Sequence, residues 1–188
     1  SYYGTRSFGV GSKNLHARPV PHLEKYHGQN IFLTEALSLE AKAEIDKALN
    51  ASKPFFLHMS HYAVHSPFQS DPRFAKNYQG KSPSLMAYAT MIEGMDKSLG
   101  DLMDHIETKG VAENTLIIFL GDNGGDAPDK DLDGISSCAP LRGRKGAKWE
   151  GGIRVPFIAS WGKVNPGNAF QKNNPIVPNS MVQEFGTC

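Results

Sequence analysis

The chain has 188 residues, enough for one domain with a full hydrophobic core and short for two. Twenty Lys and Arg stand against 19 Asp and Glu, a net charge of +1, so no overall field draws it to nucleic acid or an anionic membrane, and any bound anion must be held by local groups. No apolar run reaches the roughly 18–20 residues of a membrane span, and no charged-then-apolar leader opens the chain.

Gly and Pro are slightly abundant while 39% of residues are apolar, which describes an ordered fold with many loops. Residues 1–33 are rich in Gly, His, Pro and aromatics with no sustained period, and are expected to form an irregular surface segment. The start at Ser1 rather than at a methionine and the stop at Cys188 read as cuts rather than natural termini. From Thr34 to Leu49 the spacing of Leu37, Ala41, Ile45, Ala48 and Leu49 predicts a helix. Phe55 to Met59 is a continuous apolar run that fits a strand buried on both faces, with His58 inside it as a structural residue.

Between 83 and 109, Leu85, Tyr88, Ala89, Ile92, Met95, Leu99, Leu102, Met103 and Ile106 recur at three- and four-residue steps, predicting a long amphipathic helix. Ser82 or Ser84 can cap its start and Gly110 closes its end, with the methionines as core filler. Thr115 to Leu120 and Val155 to Trp161 are further apolar runs read as strands, and 162–188 is expected to be irregular. Helices alternating with strands over 34–161 predict an α/β domain built on a mostly parallel central sheet flanked by helices.

In open α/β sheets the ligand site lies beyond the carboxyl ends of the strands. The first strand leads to His61 and His65, the second to Asp122 and Asn123. Asn123-Gly124 also fits a two-residue hairpin turn, but the uniformly apolar run before it suits a buried parallel strand. A carboxylate and an amide oxygen side by side are hard donors for Ca2+, with Mg2+ as the alternative, and Ca2+ needs about six to eight such ligands. His65 reads as a general acid aimed at the same rim, with Pro67 fixing the loop behind it; an ordinary packed or surface histidine is the competing reading, and the stronger one for His61. Lys145 lies between glycines in Gly143-Arg144-Lys145-Gly146, where backbone can approach an anion closely and the ammonium acts on it as a point charge; a solvated basic loop is the alternative.

These segments in this order resemble the sulfatase family of the alkaline-phosphatase-like superfamily: Lys53-Pro54-Phe55-Phe56-Leu57 running into Ala63-Val64-His65-Ser66-Pro67, then Met91-Ile92-Glu93-Gly94-Met95-Asp96, Leu120-Gly121-Asp122-Asn123-Gly124, and Gly143-Arg144-Lys145-Gly146 leading to Glu150-Gly151-Gly152-Ile153-Arg154-Val155-Pro156. The resemblance covers residues 53–161 and is loose elsewhere. It implies that Asp122 and Asn123 are two of the Ca2+ ligands, that Lys145 contacts the sulfate and that His65 lies beside the leaving-group oxygen, all four at one rim. The family's nucleophile is a cysteine in Cys-x-Pro-Ser-Arg, oxidised to formylglycine, and is expected in a segment N-terminal to this sequence. Cys138-Ala139-Pro140-Leu141-Arg142 has the minimal Cys-x-Pro-x-Arg spacing but follows the Asp-Asn strand instead of preceding it, so it reads as coincidence.

The expected reaction is hydrolysis of an aryl or carbohydrate sulfate ester, in a secreted or periplasmic protein. Rival readings are a phosphoesterase or phosphonate hydrolase of the same superfamily, and a non-catalytic carbohydrate-binding relative. A chain cut from a doubly wound sheet is also expected to leave an unpaired edge and to self-associate. Cys138 and Cys188 can form at most one bridge.

Overall fold

The computed structural model describes residues 20–26, 29–65, 68–126 and 138–176. The chain divides into two compact units, residues 1–102 and 103–188.

The first unit begins with a 3-10 turn, Glu24–Tyr26, followed by helix α1, Leu33–Asn50. Its buried stripe of Thr34, Ser38, Ala41 and Ile45 follows the helical repeat. Val20, Leu23 and Tyr26 pack with Leu33 and Ala36 in a small core, so this part of the N-terminal segment is not the surface stretch its composition predicts. Three apolar residues three apart around one 3-10 turn are too few to register as a period. Tyr26 donates its hydroxyl to Glu40 Oε1 at 2.5 Å, and Lys25 Nζ lies 2.7 Å from the same oxygen. Burial, with the Glu40 carboxylate adding to it, pushes the Tyr26 phenol up to about 12.

Helix α2, Pro83–Thr108, starts where the sequence places it: the Ser82 hydroxyl accepts from Leu85 N–H at 3.3 Å and Pro83 occupies the first helical position. Gly110 at φ +72° ends it, with Val111 N–H donating to Ile106 O at 3.0 Å. The buried stripe differs from the predicted one. Within the first unit it consists of Ala87, Thr90, Met91, Gly94 and Ser98, whereas Ile92 is 39% exposed. Small residues win because polar contacts and close approach fix this face. Ser98 and Ser38 share a hydrogen bond of 2.5 Å between α2 and α1, and Thr90 Oγ1 accepts from Asp71 N–H at 3.0 Å. A Cβ on Gly94 would sit 3.2 Å from Asp71 Oδ2. Asp71 is fully buried and held by Arg73, whose Nη2 lies 2.6 Å from Oδ2 while its Nη1 reaches Glu35 Oε2 at 3.1 Å.

The run Phe55–Met59 is not a buried strand. Residues 53–62 have no helix or strand assignment, Phe56 is 95% exposed, and His58 is exposed rather than internal. Apolar, β-prone composition makes a strand only where a neighbour completes its ladder, and none of the described residues does so here.

The second unit contains the end of α2, a 3-10 turn Ala112–Asn114, strand β1 (Leu116–Leu120), a one-turn helix α3 (Glu150–Ile153), strand β2 (Phe157–Trp161) and helix α4 (Ala169–Asn173). Asn168 caps α4 with its Oδ1, accepting from Phe170 N–H at 2.9 Å, so the C-terminal segment is ordered here rather than irregular. β1 and β2 pair antiparallel, Leu116 opposite Trp161 through Leu120 opposite Phe157. The predicted parallel character is not seen in this pair. A parallel return requires a crossover of a dozen or more residues, usually an α-helix, and between these strands the described residues form only the single turn of α3.

Both faces of this ribbon are partly bare. Leu116, Ile118 and Leu120 on one face and Ile158 on the other are 48%, 52%, 57% and 59% exposed. The uniformly apolar sequence is that of a sheet covered on both sides, and the described residues cover neither fully. No helix among the described residues is long and apolar enough to cross a membrane.

Candidate functional site: a glycine-locked loop junction

β1 ends at Leu120, and Gly121 N–H donates to Pro156 O at 3.1 Å, extending the strand pairing by one bond. The chain then turns through Asp122-Asn123-Gly124-Gly125. This is not a two-residue hairpin: the partner of β1 starts only at Phe157, so Asn123-Gly124 does not join the two arms. The loop is instead fastened to three other segments. Gly124 N–H donates to Gly152 O at 3.0 Å, Gly125 N–H donates to Cys138 Sγ at 3.1 Å, and Gly125 O accepts from Lys145 N–H at 3.0 Å.

Such contacts require backbone to lie on backbone. A Cβ on Gly124 would fall onto the Gly151 carbonyl oxygen; one on Gly151 would meet the Gly143 carbonyl oxygen; one on Gly152 would meet that of Ala147. The Arg142–Ala147 loop is shaped by Gly143 at φ +88° and Gly146 at φ +82°, in the left-handed region where a side chain costs about 1–2 kcal/mol. Gly151 N–H donates to Arg142 O at 2.8 Å, and Gly152 N–H to Trp149 O at 2.8 Å. The loops carrying Asp122, Asn123 and Lys145 thus form one junction.

Asp122 is exposed, with its carboxylate at the surface of the junction. Asn123 is half-buried, and its Nδ2 donates to Gly124 O at 2.8 Å, so the amide oxygen is the end left for a cation. Lys145 is half-buried. Cys138 is a free, half-buried thiol engaged by Gly125 N–H; Cys188, its only potential partner, lies outside the described residues.

His65 belongs to the first unit, where its N–H donates to Tyr62 O at 2.9 Å at the end of a tight turn and its side chain is exposed. Ser66 and Pro67 lie outside the described residues. Of the four predicted site residues, the structure brings together the loops of Asp122, Asn123 and Lys145. His61 is half-buried, its Nδ1 has no hydrogen-bond partner among the described residues, and burial lowers the pKa of its ring.

For a hard cation the donor chemistry fits: a carboxylate and an amide oxygen from consecutive residues, on a loop whose backbone is fixed. The number does not suffice, since among the described residues no three His, Cys, Asp or Glu side chains could hold a metal ion together. Asp122 and Asn123 would suit one side of a calcium shell, which needs further ligands beyond them.

In the sequence Arg142 stands out only as the end of Cys138-Ala139-Pro140-Leu141-Arg142, and Trp149 not at all. The Arg142 guanidinium in fact lies over the Trp149 ring, Cζ 3.8 Å from its centroid. An aromatic residue inside a basic run was the available signal.

Comparison with known proteins matches the Sulfatase family model to residues 13–182. A sulfatase of Formosa agariphila is 31% identical over 170 residues, covering 82% of this chain and 28% of that protein. The steryl-sulfatase of Mus musculus is 31% identical over 160 residues, covering 82% and 24%. Among solved structures, Ps i-CgsB in complex with k-i-k-neocarrahexaose superposes with a TM-score of 0.62 at 35% identity, covering 69% of this chain and 28% of that one. The chain spans about a quarter of the length of these curated relatives.

Proposed function

The chain belongs to the sulfatase family, with that family's alkaline-phosphatase-like α/β fold, and from this premise we propose that it carries one part of the active site of a sulfuric ester hydrolase acting on aryl or carbohydrate sulfates. Asp122 and Asn123 supply two oxygen ligands to Ca2+, Lys145 holds the sulfuryl oxygens, and His65 gives a proton to the departing alkoxide or phenoxide. The observation that carries this reading is the junction itself: the Lys145 N–H bonded to the Gly125 carbonyl at 3.0 Å ties the cationic loop to the oxygen-donor loop.

A sulfate ester resists hydrolysis because an anionic group must accept a nucleophile while a poor leaving group departs. Fixed positive charge around the sulfuryl oxygens favours the transition state most when it need not reorganise. When bound, Ca2+ supplies Lewis-acid charge to those oxygens. Lys145 adds an ammonium from a loop whose glycines hold its backbone rigid, and an imidazole, which can donate a ring N–H proton, suits the proton transfer. The nucleophile is a formylglycine outside these 188 residues, and the protein is secreted or periplasmic. Carbohydrate sulfates are the favoured substrates, in keeping with the neocarrahexaose bound to Ps i-CgsB.

The 188-residue chain alone is therefore expected to bind Ca2+ weakly and to release no phenol from a chromogenic aryl sulfate. Turnover by the isolated chain that disappears in Cys138→Ala would overturn this reading, because it would make Cys138-Ala139-Pro140-Leu141-Arg142 the nucleophile segment.

A further inference from the structure

Resting on the sulfatase reading and extending it to substrate choice, we propose that Arg142 and Trp149 form a second anion subsite beside Lys145, which takes a neighbouring sulfate or carboxylate on a polyanionic carbohydrate chain.

The pair is built rather than incidental. Arg142 Cζ stands 3.8 Å from the Trp149 ring centroid, closer than the other cation–aromatic contacts among the described residues, which run from 5.1 to 5.7 Å. Both residues are pinned through their backbones: Arg142 O accepts from Gly151 N–H and Trp149 O from Gly152 N–H, each at 2.8 Å. Gly143 lies against the indole, since a Cβ there would come 3.0 Å from Trp149 Cβ and 3.3 Å from Cδ1. Ordinary surface arginines lose side-chain freedom when they bind; this one already rests over the Trp149 ring.

Both side chains remain accessible, with Trp149 43% exposed and Arg142 exposed. Stacking occupies the face of a guanidinium and leaves its in-plane N–H groups, the donors that match the paired oxygens of a sulfate or carboxylate. Among the described residues the guanidinium has an aromatic partner and no carboxylate one. Lys148 Nζ, 5.7 Å from the same ring, adds positive charge.

Arg142 and Lys145 are three residues apart in one loop, so their backbones are separated by at most about 11 Å. Two cationic receptors on one short loop read a chain bearing repeated anionic groups. The net charge of +1 argues against polynucleotide as the occupant, because local groups and no general field supply the attraction.

The test compares kcat/KM for a monosulfated aryl ester and for a carbohydrate oligosaccharide carrying two sulfates, in the full-length protein. Arg142→Ala is expected to lower the oligosaccharide value about ten- to a hundredfold, the range of a charge-assisted hydrogen-bond pair, and to leave the aryl ester value unchanged. Arg142→Lys keeps the charge without the planar fork and is expected to recover only part of the loss, with the wild-type melting temperature. An equal loss on both substrates would mean that Arg142 only supports the loop, and an unchanged ratio would remove the subsite. Equal displacement of the oligosaccharide by a single-stranded polynucleotide would also overturn the proposal. Absence of turnover in the wild type would strike the sulfatase reading beneath it, whereas turnover with an Arg142-independent ratio would strike the subsite alone.

Discussion

Gly124→Ala is expected to destabilise the second unit by about 3 kcal/mol or more, the range reached when a side chain is forced into a packed, hydrogen-bonded site. The added Cβ would land on the Gly151 carbonyl oxygen, and no rotamer can relieve it because the obstacle is backbone. Relief requires parting the Asp122–Gly125 loop from α3, which breaks the Gly124 N–H to Gly152 O bond and leaves a donor and an acceptor unpaired in a buried place. Gly80→Ala is the control. At φ +79° with nothing within 4 Å, it is expected to cost only the left-handed strain, about 1–2 kcal/mol. Denaturant midpoints of the two variants, read at constant m-value, check the difference; equal losses would mean that the close approach is not what holds the junction.

Helix α2 was legible in the sequence because 26 residues with a serine before Pro83 and a glycine after the last turn combine period, cap and stop. Its buried face was not, since hydrophobicity points to Ile92 and Met95 while contact is made by Thr90, Gly94 and Ser98 through hydrogen bonds and close approach. Short apolar runs gave the ribbon strands but not their relation. Phe55–Met59 and Ile117–Leu120 are alike in composition, yet only the second has a described neighbour to pair with. The antiparallel direction of this pair was not legible, because alternation of helix and strand along the chain says nothing about which strands become adjacent.

At the candidate site the sequence offers residue types but not how they are fixed. Asp122, Asn123 and Lys145 were named from hard-donor and cationic chemistry at a strand end and a glycine loop. That Gly151 and Gly152 serve as the floor on which the other loops lie follows from distances between backbones distant in sequence, and single-sequence patterns carry no such distances. Arg142 and Trp149 escaped for the same reason: seven positions apart, they meet only because Gly143 and Gly146 fold the loop back.

Lys145→Ala in the full-length protein is expected to lower kcat about 10²- to 10³-fold, the loss typical when one preorganised electrostatic group at developing charge is removed. Removing the ammonium leaves the junction intact, because the bond to Gly125 O uses the Lys145 backbone N–H and not the side chain. Stability should therefore match the wild type while turnover collapses, and the loss should fall mainly on kcat if the charge acts on the transition state more than on the bound ester. Lys145→Arg should recover little, because a planar fork does not replace a compact point charge in a tight loop. Unchanged kcat in Lys145→Ala would place the sulfuryl group elsewhere.

Sulfate-ester hydrolysis at this junction requires Asp122 and Asn123 to hold a divalent cation next to Lys145. Crystals of the full-length protein grown with Ca2+ and sulfate, with the ion located by its anomalous scattering, give the direct reading. The expected result is an ion with oxygens of Asp122 and Asn123 about 2.3–2.6 Å away, and Lys145 Nζ on the sulfate. A calcium ion bound elsewhere, with the Asp122 carboxylate in open solvent and the sulfate remote from Lys145, would contradict it.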